Sequence, residues 1–130
     1  MVLVRLLPNP SHLEAIDPVV EGWSRAVQTQ RRATSLHLDP MAALPVLVHG
    51  DAAFAGQGVV QEVLNFQSLP GYTTGGTVHF IADNQVGFTT DPQDGRSTRD
   101  APDRAKGFDI PIGHVTADAL QARLAQVPFP

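Results

Sequence analysis

A chain of 130 residues is long enough for one domain with a core of its own. A formal net charge of −4 points away from nucleic acid and anionic membranes, and the absence of cysteine excludes disulfides and thiolate metal sites. No apolar run approaches the length of a membrane span, and Pro8 and Pro10 break the N-terminus too early for a secretory signal. The expected compartment is the cytoplasm, or a mitochondrial matrix after processing in a eukaryote.

Residues 2–7 (VLVRLL) read as a short strand stopped by Pro8-Asn9-Pro10. Ser11 is placed to cap a helix, with Glu14 as its capping-box partner. The helix is expected over residues 13–27, interrupted or restarted at Pro18. Residues 29–43 are polar and aperiodic and read as a loop. The apolar run 44–48, broken only by Pro45, predicts a central strand buried on both faces. Val59, Val60, Val63, Leu64 and Phe66 recur at helical spacing and predict a core-facing helix over 57–69. A second apolar run, 77–82, predicts a strand. A helix between two strands is a βαβ crossover, so the fold class is α/β, built of βαβ units with a mainly parallel sheet. Residues 87–103 are rich in Thr, Asp, Pro, Gly, Ser and Arg and read as a long loop. Thr116 is placed to cap a final helix through residue 127, with Leu120, Leu124 and Val127 on one face.

Each predicted strand closes on side chains with oxygen ligands: His49-Gly50-Asp51 after the first, Asp83-Asn84-Gln85 after the second. Ligands of open α/β sheets sit outside the carboxyl ends of the strands, so Asp51 and Asn84 share a rim if the strands are parallel neighbours. A carboxylate and a carboxamide oxygen are hard ligands suited to magnesium, which completes its octahedron with phosphate oxygens and water. Gly50, Ala52 and Ala53 are small, so backbone N–H groups there can approach a phosphate, and a helix from about Gly58 would add its positive end. The generic reading is a magnesium–diphosphate site. The bland alternative is turn chemistry, which both residue types favour. His49 is open between a donor to the diphosphate and a satisfied histidine at a strand end. Asp83 adds a second carboxylate beside Asp51, a repulsion that a bound metal would offset.

The order Gly-Asp, a gap, then Asn resembles the thiamine diphosphate signature, in which Gly-Asp-Gly is answered by Asn-Asn. The wording is narrower than that. HGDAAFAGQGVVQE, GGTVH and NQVGFTTDP, together with NPSHLEAIDPVVEG at residues 9–22, resemble the thiamine-dependent first component of the 2-oxoglutarate dehydrogenase complex. The similarity runs from about residue 3 to 115, a small part of that family's longer polypeptide. It implies a single partial thiamine diphosphate-binding (PP-type) domain over 1–130. It assigns Mg2+ to Asp51, Asn84 and the Val86 carbonyl, the diphosphate to Gly50 and Ala52, and an active-site role toward a 2-oxo acid to His12, with His49 a second catalytic candidate. Without the resemblance, His12 reads as a surface histidine beside a helix start.

The resemblance implies oxidative decarboxylation of 2-oxoglutarate with acyl transfer to a lipoyl-bearing acyltransferase. It also implies a need for missing domains or a homodimer, because the family's thiamine ring lies between two domains. The glutamate that activates the cofactor has no candidate here, so the isolated chain is expected to be inactive alone. Asp83 stands where the family usually has Asn. Residues 103–115 keep the outline of a helix and a third strand, with Gly113 where a bulky apolar residue is usual. These departures leave open a truncated, non-catalytic remnant that serves as a binding or interaction module or has no function.

Overall fold

Residues 2–116 are described by the computed structural model; beyond Thr116, the expected C-terminal helix lies outside the described residues. The first helix, α1, spans Asp17–Gln28 with Pro18 in its first turn. Proline is well placed there, because its missing N–H would have no helical partner. Pro18 therefore starts the helix rather than interrupting it. The capping box expected from Ser11 does not form: Ile16 is the N-cap without a side-chain bond, and residues 11–16 turn instead. Glu14 takes φ 66° in that turn and sends its carboxylate into the interior.

The buried face of α1 is polar. Asp17, Glu21, Ser24 and Gln28 fall on one helical stripe and face inward, while Val19 and Val27 are exposed. Buried polar atoms need partners, and the segment before the last strand supplies several. Glu21 accepts hydrogen bonds from the hydroxyls of Thr74 (3.0 Å) and Thr77 (2.7 Å). The Gln28 amide donates toward the carbonyls of Pro40, Ala43 and Thr74.

Where the sequence reads as a loop, Thr29–Arg32 (β1) and Ser35–Leu38 (β2) pair antiparallel, from Thr29↔Leu38 to Arg32↔Ser35. Most of their residues are exposed, so the hairpin rests on its backbone ladder and leaves no alternating apolar signature. A 3₁₀ turn at Pro40–Ala42 leads to β3, Val46–Gly50. Two short helices follow, α2 at Asp51–Gly56 and α3 at Gly58–Asn65, with a 3₁₀ turn at Phe66–Ser68. Of the two helices, α3 with its 3₁₀ turn is the one expected over 57–69, and α2 lies ahead of it. They are divided at Gln57, whose extended backbone (φ −99°, ψ 124°) caps both. The strand β4, Val78–Ala82, lies parallel to β3 in the register Val46↔Val78 to Gly50↔Ala82.

This β3–helix–β4 unit is the expected βαβ crossover, and the molecule is α/β. Its sheet is buried on one face rather than two. Leu47 and His49 point inward, whereas Val46, Val48 and Phe80 stay 46%, 76% and 54% exposed. Parallel strands are ordinarily covered on both sides, so this apolar outer face is one that a larger fold would cover. Nor does residue stretch 2–7 form a strand: Val2, Leu3, Val4 and Leu6 are exposed. Among the described residues its ring contact is that of Arg5, 5.1 Å above Trp23.

The core groups Phe54, Val60, Leu64 and Ala105, with Ile81, Phe108 and Ile110 packed on it. Part of the expected long loop is ordered into α4, Pro92–Gly95, and into a 3₁₀ helix, Ala101–Phe108, capped reciprocally by Asp100 and Asp103. A helix therefore exists near residue 103, but residues 110–116 form no third strand. No helix among the described residues is long and apolar enough to cross a membrane.

Candidate functional site

The parallel register ends at Gly50↔Ala82, so Asp51 and Asp83 are the first residues past the paired strands. The two tips lie side by side. Arg96 confirms this by reaching both: its Nη1 donates to Asp51 Oδ2 at 2.7 Å and its Nη2 lies 3.6 Å from Asp83 Oδ2. The Asp51 side chain is nearly fully buried, and its second oxygen, Oδ1, is enclosed with no hydrogen-bond partner among the described residues. A buried carboxylate oxygen left unpaired is costly. It marks a place where positive charge is favoured, which a guanidinium already exploits from the other side.

Asn84 follows, its N–H donating to the Ala82 carbonyl and its Oδ1 accepting from the Val86 N–H at 3.0 Å. The chain then turns through Gln85 (φ 60°) and returns to α2. A Cβ on Gly87 would stand 3.3 Å from the Ala52 Cβ. Asp51, Ala52, Asn84 and the 84–87 turn are therefore brought together. The donor set of carboxylate, carboxamide and backbone carbonyl oxygens fits a hard divalent cation. The helix that opens at this rim is α2, six residues long, and not α3 as the sequence suggested.

The histidines part company. His12 lies on the exposed turn before α1 and makes no hydrogen bond to the rim among the described residues. His49 points to the inner face of β3 and is 2% exposed. Its Nδ1 meets Glu14 Oε2 at 2.5 Å and its Nε2 meets His79 Nδ1 at 2.9 Å. Phe54 packs edge-on against the ring, centroids 5.0 Å apart. With both ring nitrogens engaged, His49 has no donor left for a diphosphate. These contacts match the reading of His49 as a satisfied histidine at a strand end.

Glu14, Asp17 and His49 bring three ligand atoms within 4.8 Å of one another. The 2.5 Å contact between Nδ1 and Oε2 is a hydrogen bond and leaves no room for an ion between them. Burial pushes the Asp17 carboxyl up to about 7, helped by its hydrogen bond to Glu14 and that neighbour's charge. Burial alone would raise Glu14 too, but the hydrogen bonds to His49 and Asp17 outweigh it and hold the carboxyl below its usual range. Burial and the neighbouring His49 push His79 down to about 4.

Two opposing pH slopes follow. Native His79 stays neutral while the unfolded imidazole protonates, so its contribution is whole above pH 6.5 and is lost as pH falls toward 4. Native Asp17 keeps a proton that the unfolded chain releases, so stability falls as pH rises from 3.8 toward about 7. Each slope spans about 3–4 kcal/mol at most. Thermal melts across this range check it: Asp17→Asn is expected to flatten the neutral-side decline, and His79→Gln the acid-side decline. Unchanged slopes in both variants would contradict the assignment.

The model of the dehydrogenase E1 component family matches residues 4–126. The chain belongs to that family. Among its E1 relatives, the 2-oxoglutarate dehydrogenase E1 component of Bacillus mycoides (strain KBAB4) is 58% identical over 123 residues, and that of Bacillus cereus (strain AH187) is 57% identical over the same length. Both alignments take in 94% of this chain and 13% of the relative, so the chain spans about an eighth of the length of these curated E1 proteins.

Against this E1 background, three features escaped the sequence reading. Arg96 is 45 residues from the carboxylate it contacts, and nothing local points to it. Glu14 has the spacing of a helix-cap partner, which hides its inward role. The pairing of His49 with His79 had a usable signal: both are flanked by apolar residues in adjacent predicted strands, and an imidazole on a core-facing position needs a partner.

Proposed function

We propose that this chain is the magnesium- and diphosphate-binding portion, of PP type, of a 2-oxoglutarate dehydrogenase first component. The observation that carries the reading is the buried, half-unpaired Asp51 carboxylate beside Asn84 at one rim of a parallel sheet. In this reading Asp51, Asn84 and the Val86 carbonyl hold Mg2+. The backbone N–H groups at Gly50 and Ala52 take the diphosphate, and His12 serves the 2-oxo acid. The chemistry that thiamine diphosphate supplies when bound is an electron sink for decarboxylation. A lipoyl-bearing acyltransferase receives the acyl group, and the compartment is the cytoplasm or a mitochondrial matrix. The site is completed by further domains or a second chain, in keeping with the bare outer face of the sheet, so the isolated 130 residues turn over no substrate. His49 drops out of the catalytic set and becomes a structural support.

A second reading, a non-catalytic remnant, draws on Arg96 seated between Asp51 and Asp83, where it already occupies one of the two Asp51 carboxylate oxygens. Calorimetric titration with thiamine diphosphate and magnesium separates the two. The first predicts magnesium-dependent binding that Asp51→Ala reduces by at least about 100-fold, the loss of a charged ligand to a hard ion. No binding by either form, or equal binding by both, favours the second.

A further inference from the structure

We infer that Glu14 is a positioning residue that clamps the His12-bearing turn to the strand that presents Asp51. The functional sense of the clamp rests on the proposed roles of His12 and Asp51; its geometry does not. Glu14 stands two residues after His12, and His49 two residues before Asp51. One contact therefore couples two segments far apart in the chain, Glu14 Oε2 to His49 Nδ1 at 2.5 Å, with 35 residues between the partners.

Three observations set this contact apart from an ordinary buried ion pair. First, Glu14 holds φ 66°, a left-handed backbone that costs a non-glycine residue about 1 kcal/mol or more and persists only where the surroundings over-determine it. The turn gives up local comfort to deliver this carboxylate. Second, His49 cannot swing away. Phe54 packs on its ring, and His79 binds its other nitrogen at 2.9 Å with the two rings nearly parallel, 14° apart. The anchor on the strand side is thus rigid. Third, the clamp makes the only long-range side-chain hydrogen bond of residues 11–16 among the described residues: the Ala15 N–H to the His12 carbonyl, the Asp17 N–H to the Glu14 carbonyl, the Val20 N–H to the Ile16 carbonyl and the side-chain bond between Glu14 and Asp17 are all local. Releasing Glu14 would leave the turn tethered by its connection to α1 alone, while β3, α2 and α3 keep their own packing.

Backbone ¹⁵N relaxation on the 130-residue chain tests this. In the unaltered protein residues 11–16 are expected to be as rigid as β3, with order parameters of about 0.85; in Glu14→Ala they fall below about 0.6 while β3 and α3 stay unchanged. Glu14→Gln keeps an acceptor of the same reach for the His49 N–H and is expected to restore the rigid values. Glu14→Asp keeps the charge on a shorter arm and should loosen the turn as the alanine does, which provides the comparison if Glu14→Ala does not fold. A turn equally rigid in the Ala and Asp variants overturns the proposal, as does loosening that spreads into β3 and α3 in both. Calorimetry with thiamine diphosphate and magnesium on Glu14→Gln reads the other assignment separately. No binding by any form, the unaltered chain included, would sink the cofactor reading and leave the order parameters to decide the clamp.

Discussion

Phe54→Ala is expected to remove about 3–5 kcal/mol of stability, the range for truncating a buried aromatic. The ring is 2% exposed and belongs to the core with Val60, Leu64 and Ala105. It also meets His49 edge-on at 5.0 Å and His79 at 6.2 Å. Its loss therefore opens a cavity and, in the same place, unpacks the imidazoles that anchor Glu14. Small domains hold a total of about 5–15 kcal/mol, and one with an uncovered apolar sheet face belongs toward the low end. Urea unfolding should show a midpoint displaced far toward water with little change in slope. Phe54→Leu, which refills most of the volume, should recover more than half of the loss. A Phe54→Ala midpoint within about 1 kcal/mol of the parent would show that the core can collapse around the gap, and the packing account would fail.

Gln28→Met comes next in size. Gln28 has no solvent exposure, and its Nε2 lies 3.2 Å from the Pro40 carbonyl, 2.7 Å from that of Ala43 and 2.8 Å from that of Thr74. An amide nitrogen has two hydrogens for these three acceptors, so the side chain gathers the end of α1, the Pro40–Ala42 turn and the approach to β4 around one group. Methionine keeps the length and volume and removes the donor. The Thr74 carbonyl is then left buried without a partner and those of Pro40 and Ala43 partly so, at about 1–3 kcal/mol for each bond lost, or about 2–5 kcal/mol in all. Gln28→Glu should be worse at neutral pH than at acid pH, because an ionised carboxylate would face three carbonyl oxygens and only its protonated form can donate. Denaturation midpoints of the two variants at two pH values check both statements. A neutral effect of Gln28→Met would mean that water replaces the amide without loss.

The parts of the site legible in the sequence are those whose signal is local. An apolar run followed by Gly50-Asp51, and a second followed by Asp83-Asn84, announce two buried strands and two polar tips, and β3 and β4 formed within two residues of the expected bounds. The core positions Val60, Val63 and Leu64 were likewise carried by helical spacing. What misled was chemistry with two outlets. Ser11 and Glu14 have the spacing of a capping box, but a glutamate can satisfy a buried imidazole instead, and that stronger, charge-assisted bond won. The stretch 51–56 has alanine and glycine at its heart and no periodic contrast to display, so α2 was invisible. Likewise the β1–β2 hairpin has too few buried residues for alternation to show. The loop reading ran two residues too far: the helix outlined from residue 103 starts at Ala101, where Ala101 and Ala105 dock inward.

By itself the sequence determined that two apolar strands would each end in an oxygen-bearing tip, with a helical crossover between them, because burial and the crossover rule leave little choice once the pattern is written. Only the tertiary structure decided that the tips meet, that Arg96 stands between their carboxylates, and that His49 turns inward to Glu14 rather than outward to a ligand. Those outcomes depend on groups 30 to 45 residues apart finding one another. Where a side chain has several possible partners, the one it takes is set by which buried atom would otherwise go unpaired.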